Sequence, residues 1–335
     1  MESQRILGRT GIPVSAMGLG CWAIGGPFWL DGKADGWGAV DDQESIRAVH
    51  LAMEAGINFF DSADVYGAGH SETVLGQALK GRRHQAVIAT KFGYTFDPDS
   101  RRAEGCDVTP DYIRRACEAS LRRLDTDYID LYLLHVGMLS PAQADEVAQT
   151  LQDLQALGRI RAFGWSTDDP GSARRWTAKP HFCAVEHDLN LFHDASELIA
   201  ICDIHSLASI NRTPLAMGLL SGKFNADSRL PVDDVRGSGH EWVAYFENGR
   251  PRPEFLERLA AVREILTSKG RSLTQGALAW IWGRSPRTIP IPGFKTATQV
   301  EENVKAMDFG PLSLEQMQEI ERLLSLKPGK IVASA

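Results

Sequence analysis

The stretch Asn58-Phe59-Phe60-Asp61-Ser62-Ala63-Asp64-Val65-Tyr66-Gly67 decides how this chain is read. A short apolar run, Ile57 to Phe60, ends on a carboxylate, and a phenol follows on residues typical of a loop. Acid and phenol therefore share a strand tip. Upstream, Gln43 to Ala55 carries Ile46, Val49, His50 and Met53 at helical spacing and stops at Gly56. Downstream, Ser71 to Lys80 reads as a helix ended by Gly81. The stretch is thus a strand between two helices, and the same unit recurs along the chain.

Working outward, Arg5 to Val14 reads as a hairpin about Gly8 and Gly11, placed to plug one end of a larger body. Ser15 to Trp22 is the first strand. The third unit pairs strand Ala86–Thr90 with helix Asp111–Leu124, and the fourth pairs Ile129–Leu134 with Ala142–Leu157. Strand five is Ile160–Trp165, with a short helix after Pro170; strand six is Phe182–Val185, with helix Ala195–His205. Strand seven lies near Leu207–Ile210, with a short helix after Pro214 and a closing helix Leu273–Trp282. Strand eight, Thr288–Ile291, leads into helix Ala297–Met307, and Pro253–Lys269 and Leu314–Leu324 are extra C-terminal helices. Eight strand–helix units without a linker predict an α/β fold, one closed (β/α)8 TIM barrel over residues 1–335. The tail from Lys327 reads as mobile.

Composition narrows the function. Hydrophobic residues make up 43% of 335 and charged residues 24%, with a net charge of −7, which argues against a nucleic-acid partner and for a small-molecule one. The cysteines at 21, 106, 117, 183 and 202 form no Cys-x-x-Cys pair, so neither a zinc site nor a disulfide framework is expected. Met1 to Arg9 lacks the apolar core of a signal peptide, and the sequence has no membrane-spanning apolar run. A cytoplasmic protein is expected; its oligomeric state stays open.

Barrel sites are built at the C-terminal ends of the strands. Those ends carry Asp61, Lys91 and His135 on three successive strands, with Tyr66 in the second loop. Singly, each is more often a cap, a solvated cation or a buried core side chain. Together they make a proton-transfer unit. A free phenol titrates near ~10, and a neighbouring ammonium favours the phenolate. Tyr66 is then the general acid, Lys91 its tuner, Asp61 the anchor of Lys91, and His135 a donor to a polarised carbonyl oxygen.

At these residues a resemblance becomes visible. Leu7-Gly8-Arg9-Thr10-Gly11, Asp61 to Gly67, Lys91, Leu131 to His135, Gly218 to Lys223, and Ile291-Pro292-Gly293 with Glu302-Asn303 resemble, in order, the aldo-keto reductase superfamily. The resemblance implies NAD(P)H-dependent hydride transfer to a carbonyl, with NADPH as cofactor and NADH as the alternative. It implies a cofactor held across the barrel mouth without a Rossmann fold. Gly18-Leu19-Gly20-Cys21-Trp22-Ala23 imitates a dinucleotide fingerprint, but Ile24-Gly25-Gly26-Pro27 cannot open the helix that such a fingerprint needs.

The resemblance places Gly20, Cys21, Trp22 and Asp61 beside the cofactor, Ser166 and Thr167 at its carboxamide, and Glu186 where the family has a glutamine. Arg212 stands where an aromatic ring is usual, and a Glu186–Arg212 pair is expected from their neighbouring strands. Pro214, Leu215, Gly218, Leu219, Ser221 and Lys223 match the pyrophosphate segment. Gly293, Phe294, Lys295, Thr296, Gln299, Glu302 and Asn303 match the adenosine segment, with Lys295 and Thr296 at a 2′-phosphate and Glu302 with Asn303 at the adenine.

The substrate is expected to touch Trp22, Tyr66 and His135, within walls from Trp22–Asp41 (Phe28, Trp29, Trp37), Phe92–Asp107 (Tyr94, Phe96) and Asn225–Arg252 (Trp242, Tyr245, Phe246). Asp31, Lys33, Arg101, Arg236 and Arg250 read as solvated surface. The expected substrate is a small, polar, sugar-like carbonyl. Two other readings compete: a dehydrogenase running in reverse, and an NADP(H)-binding redox sensor with little turnover.

Overall fold

The computed structural model describes residues 4–325, so the tail from Lys327 lies outside the described residues. Its strands are β1 (Gln4–Ile6), β2 (Pro13–Ser15), β3 (Leu19–Gly20), β4 (Trp29–Leu30), β5 (Lys33–Ala34), β6 (Phe59–Asp61), β7 (Val87–Phe92) and β8 (Tyr94–Asp97). There follow β9 (Arg102–Cys106), β10 (Ile129–Leu134), β11 (Ile160–Ser166), β12 (Phe182–Asp188), β13 (Ala208–Arg212), β14 (Phe246–Glu247), β15 (Arg250–Pro251) and β16 (Thr288–Pro290). Helices α1 (Asp42–Glu54), α2 (His70–Ala78), α3 (Pro110–Arg123), α4 (Pro141–Ala156), α5 (Pro170–Trp176) and α6 (Ser196–His205) alternate with the strands. They are completed by α7 (Pro253–Thr267), α8 (Leu273–Trp282), α9 (Ala297–Val304), α10 (Ala306–Phe309) and α11 (Leu314–Ser325).

Eight strands pair in parallel in the order β16-β13-β12-β11-β10-β7-β6-β3. The ends meet: Gly18 N–H donates to Pro290 O at 3.0 Å, Gly20 N–H to Pro292 O at 3.0 Å, and Gly20 bridges Gly293. This is the expected (β/α)8 barrel. Its interior holds Phe59, Val87, Ala89, Leu131, Leu133, Ala162, Ala184, Ile210 and Ile289, floored by Leu7, Ile12 and Val14 of the β1–β2 hairpin. The hairpin is the expected plug. Gly8 sits at φ +54, and a Cβ there would lie 2.0 Å from Cys183 O, so only glycine lets the turn press against β12. A larger apolar layer separates strands from helices. Capping fixes where helices begin: Ser140 and Ser272 form reciprocal capping boxes with Gln143 and Gln275.

Several boundaries differ from the expected ones, for identifiable reasons. The first strand is split, because Ser15 turns the chain: its hydroxyl donates to Met17 O at 2.6 Å while its N–H donates to Asn58 Oδ1 at 2.6 Å. Strands β6, β7, β11, β12 and β13 run on through Asp61, Lys91, Ser166, Glu186 and Arg212, since the backbone ladder continues where the apolar run stops. The helix expected at 297–307 breaks into α9 and α10, and the segment after Pro214 is a 3₁₀ turn, Ala216–Ser221.

The expected mouth loops are structured. Strands β4, β5, β8 and β9 form a four-stranded sheet from loops 23–41 and 92–107, and β14 with β15 makes a hairpin turned by Asn248 and Gly249 at positive φ.

Candidate active site

Lys91 lies on β7 in register with Leu133 of β10, pointing into the barrel mouth, and is fully buried. Its ammonium donates to Asp61 Oδ1 and Oδ2, both at 2.7 Å, to Ser62 O at 2.8 Å and to Tyr66 Oη at 3.4 Å. Glu186 Oε1 is 3.5 Å from it. One cation thus serves two neighbouring buried carboxyl groups. Burial disfavours the ammonium, but Asp61 and then Glu186 outweigh it and hold Lys91 charged, well above the usual lysine range. Asp61 is raised by burial and by repulsion from Glu186, against the attraction of Lys91.

Tyr66 stacks on Trp22, with centroids 5.9 Å apart, and meets the edge of His135 at 5.8 Å. Burial pushes its phenol above the ordinary value, and the opposing pull of Lys91 is smaller. The expected lowering by Lys91 is therefore outweighed, and the resting phenol carries its proton. His135 follows β10, its N–H donating to Phe92 O at 2.8 Å, and Tyr94 packs edge-on against its ring at 5.1 Å. Burial, then the charges of Lys91 and Arg212, hold its imidazole well below the usual histidine range, so it is neutral at pH 7. The structure brings all four of these residues together.

The expected Glu186–Arg212 pair does not form. Arg212 bonds Asp168 instead, across the tips of β11 and β13, a partner the sequence reading missed. Glu186 Oε1 accepts from Ser166 Oγ at 3.3 Å, while Oε2 is buried with no hydrogen-bond partner. Thr167 spends its hydroxyl locally: it donates to Gly137 O at 2.6 Å and accepts from Asp169 N–H at 3.0 Å. It is committed to holding two loops together, whereas the hydroxyl of Ser166 is directed at Glu186.

At the barrel seam, a Cβ on Gly20 would lie 2.8 Å from Ile291 O. Cys21 is buried, its N–H donating to Asp61 O at 2.7 Å, and burial raises its thiol far above reach of neutral pH. Pro214 and Leu215 lead into the 3₁₀ turn, where Met217 and Gly218 take left-handed backbone and Ser221 Oγ donates to Gly218 O at 2.7 Å. Leu219 is buried and Lys223 exposed at the end of this turn.

On the other flank Gly293 closes the seam and Phe294 is buried. Lys295 Nζ donates to Trp37 O at 2.9 Å and Ala39 O at 2.7 Å. Thr296 caps α9 through Gln299 N–H at 3.3 Å, and Gln299 Oε1 accepts from Lys295 N–H at 2.7 Å. The carboxylate of Glu302 accepts from Ser272 Oγ and Gln275 Nε2, so it clamps α9 to α8 rather than standing free for an adenine. Asn303 Nδ2 is buried with no partner. A nicotinamide dinucleotide fits this donor set, since an unused acceptor, Glu186 Oε2, suits a carboxamide N–H and an unused donor, Asn303 Nδ2, suits a ring nitrogen.

The walls are partly as expected. Trp22, Trp37 and Trp242 cluster at 5.2 and 6.1 Å about Trp22, but Tyr245 and Phe246 are buried core residues. Arg236, expected on the surface, is buried: it pairs with Asp234 at 2.6 Å, donates to Met217 O at 3.1 Å and lies over the rings of Trp37 and Phe224.

Residues 16–325 match the Aldo/keto reductase family model. The chain belongs to the aldo-keto reductase family. It is an NAD(P)H-dependent oxidoreductase. This aldo-keto reductase is 31% identical over 320 residues to a probable aldo-keto reductase 1 of Glycine max, covering 94% of this chain and 86% of that one. The glycerol dehydrogenase AKR11B4 from Gluconobacter oxydans superposes with a TM-score of 0.81 at 32% identity, covering 100% of both chains. An aldo-keto reductase from Klebsiella pneumoniae, solved in complex with NADPH, superposes with a TM-score of 0.72 at 26% identity over 98% of this chain and 97% of that one.

Proposed function

We propose that this aldo-keto reductase uses NADPH to reduce a small polar aldehyde or ketone, with Tyr66 as the proton donor. The observation that supports this most is the Lys91 ammonium, which binds both oxygens of Asp61 and reaches Tyr66 Oη in a fully buried position. Ser166 and Glu186 would hold the carboxamide, the turn from Leu215 to Lys223 the pyrophosphate, and Lys295, Thr296 and Asn303 the adenosine end. When bound, the nicotinamide supplies the hydride that the protein itself lacks.

The chain's own residues handle the proton. Tyr66, protonated at rest, gives its proton to the carbonyl oxygen as negative charge develops there, and the phenolate left behind is stabilised by Lys91. Asp61 keeps Lys91 charged and aimed. Neutral His135 can donate one N–H toward the same oxygen without competing for the proton. Trp22, stacked on Tyr66, walls the site from water.

Operation in reverse, as an alcohol dehydrogenase, is the second reading. Glu186 favours it, because an additional buried carboxylate beside Lys91 supports positive charge in the site, and the Gluconobacter neighbour is named for glycerol oxidation.

Single-turnover mixing of NADPH-loaded protein with a panel of aldehydes and sugar carbonyls, and of NADP⁺ with the matching alcohols, tests both directions. Tyr66→Phe should keep cofactor affinity and lose turnover by about 10²–10⁴-fold, the usual contribution of a general acid. Wild-type turnover in that variant would remove Tyr66 from the role.

A further inference from the structure

Two loops at the barrel mouth lock together, one following β3 and one following β13, strands that only β16 separates. Val235 N–H donates to Gly36 O at 2.8 Å, Lys33 Nζ to Gly239 O at 2.8 Å, and His240 Nε2 to Ala34 O at 3.2 Å. The lock uses backbone acceptors. It leaves the carboxyl of Asp35 beside it unused: the side chain is 13% exposed, and its Oδ1 lies 3.4 Å from His240 Nε2 but has no hydrogen-bond partner. A carboxylate serving the lock would be satisfied by it, since an unmet buried acceptor costs about 1–3 kcal/mol.

The surroundings say what would satisfy it. His240 stacks on Trp242 at 5.3 Å, Trp242 lies 6.1 Å from Trp22, and Trp22 stacks on Tyr66. Trp22 Nε1 donates to Asp35 O at 3.0 Å, which ties the backbone of residue 35 to the ring that covers Tyr66. An acceptor one indole away from the proton donor, among aromatic faces, suits a ligand with C–H surface on one side and hydroxyl groups on the other. We infer that Asp35, with Trp22 and Trp242, forms a hydroxyl-binding subsite that selects polyhydroxylated carbonyls or their polyols over plain aldehydes. Burial, then the charge of Asp31, push the Asp35 carboxyl up to about 7, the direction expected of an acid lacking donors. The inference rests on the proposed reductase reading for its kinetic test, and has a binding test of its own.

The kinetic test compares glyceraldehyde with propanal, which differ by two hydroxyls. Asp35→Ala should lower kcat/KM for glyceraldehyde by about 10- to 100-fold, the range for a hydrogen bond to a charged group, and leave propanal within about threefold. Lys33→Ala, which loosens the loop lock without touching the carboxyl, should leave the preference intact. Equal losses on both aldehydes in Asp35→Ala, the same loss of preference in Lys33→Ala, or no loss at all would overturn the subsite. The binding test titrates the NADP⁺-loaded protein with glycerol and with 1-propanol and follows tryptophan fluorescence. Saturable binding of glycerol, tighter than that of propanol and lost in Asp35→Ala, is expected; equal responses to the two alcohols refute the subsite even if no carbonyl is turned over. Glycerol binding with no carbonyl turnover would instead sink the reductase reading and leave the subsite standing. The denaturation midpoint of Asp35→Ala is measured alongside; if that variant does not fold, Asp35→Leu carries the same comparison.

Discussion

Lys91→Met removes the one cation that two neighbouring buried carboxyl groups share. Asp61 and Glu186 are 2% and 1% exposed, and neither has another cation within ion-pair distance among the described residues. Deleting one partner of a buried ion pair costs about 3–5 kcal/mol, because the remaining charge keeps its desolvation penalty. The loss depends on pH. Asp61 already has its folded-state pKa above its unfolded value, so between about pH 4 and that raised value the folded form holds more protons and stability falls as pH rises. Without Lys91 the Asp61 carboxyl is raised further, so the deficit is larger at pH 8 than at pH 5.5. Urea denaturation midpoints at both pH values, wild type beside variant, measure it. Glu186→Gln added to Lys91→Met should recover part of the deficit by leaving one carboxylate instead of two. A deficit independent of pH, or larger at pH 5.5, would refute this electrostatic account of the site.

The ring protons of His135 should show no titration between pH 5.5 and 8 by NMR, since burial and the two nearby cations keep the imidazole neutral. Arg212→Ala and Asp168→Asn should couple in a double-mutant cycle by about 0.5–1 kcal/mol in denaturation experiments, as partly exposed ion pairs do, whereas Arg212→Ala and Glu186→Gln should be closer to additive. Asp234→Asn strands the Arg236 guanidinium among Trp37, Phe224 and Phe246, so the 225–252 segment should be cut faster in limited proteolysis, with a stability loss of about 2–4 kcal/mol. Thr296→Ala removes the cap of α9 and should cost about 1 kcal/mol.

The barrel was legible because its signals are local. Each strand is an apolar run, each helix has its period and stop, and the hairpin plug announces itself through Gly8 and Gly11. Asp61, Lys91 and His135 followed from counting strand ends, and Tyr66 from its loop. Missed features depend on distant partners. Nothing near Arg236 says that Asp234 will neutralise it inside an aromatic cage built from residues 37, 224 and 246. Arg212 had three acidic neighbours, Asp168, Asp188 and Glu186, and strand adjacency alone pointed to Glu186 when the geometry selected Asp168. Asp35 and His240 are brought together only when two long loops dock. One signal was readable and overlooked: Asn248-Gly249 between short extended runs is a two-residue hairpin turn, and both residues have positive φ. The split of the first strand lies between these cases, since the side chain that turns the corner at Ser15 needs Met17 O nearby but also Asn58 far along the chain.

The seam through Gly18, Gly20, Pro290 and Pro292 also sets a timetable for biosynthesis. It joins two ends of the chain, so closure waits for β16 to leave the ribosome. At about 5–20 residues per second that delay after β3 is on the order of tens of seconds. Throughout it the nascent sheet presents two open edges, with the N–H groups of Gly18 and Gly20 unanswered on one of them. The entropy lost in closing so long a loop grows only logarithmically with its length, so the final strand is late rather than weak. A chain truncated before β16 is therefore expected to aggregate through its edges, and full-length protein to be most vulnerable to a missing chaperone during this interval.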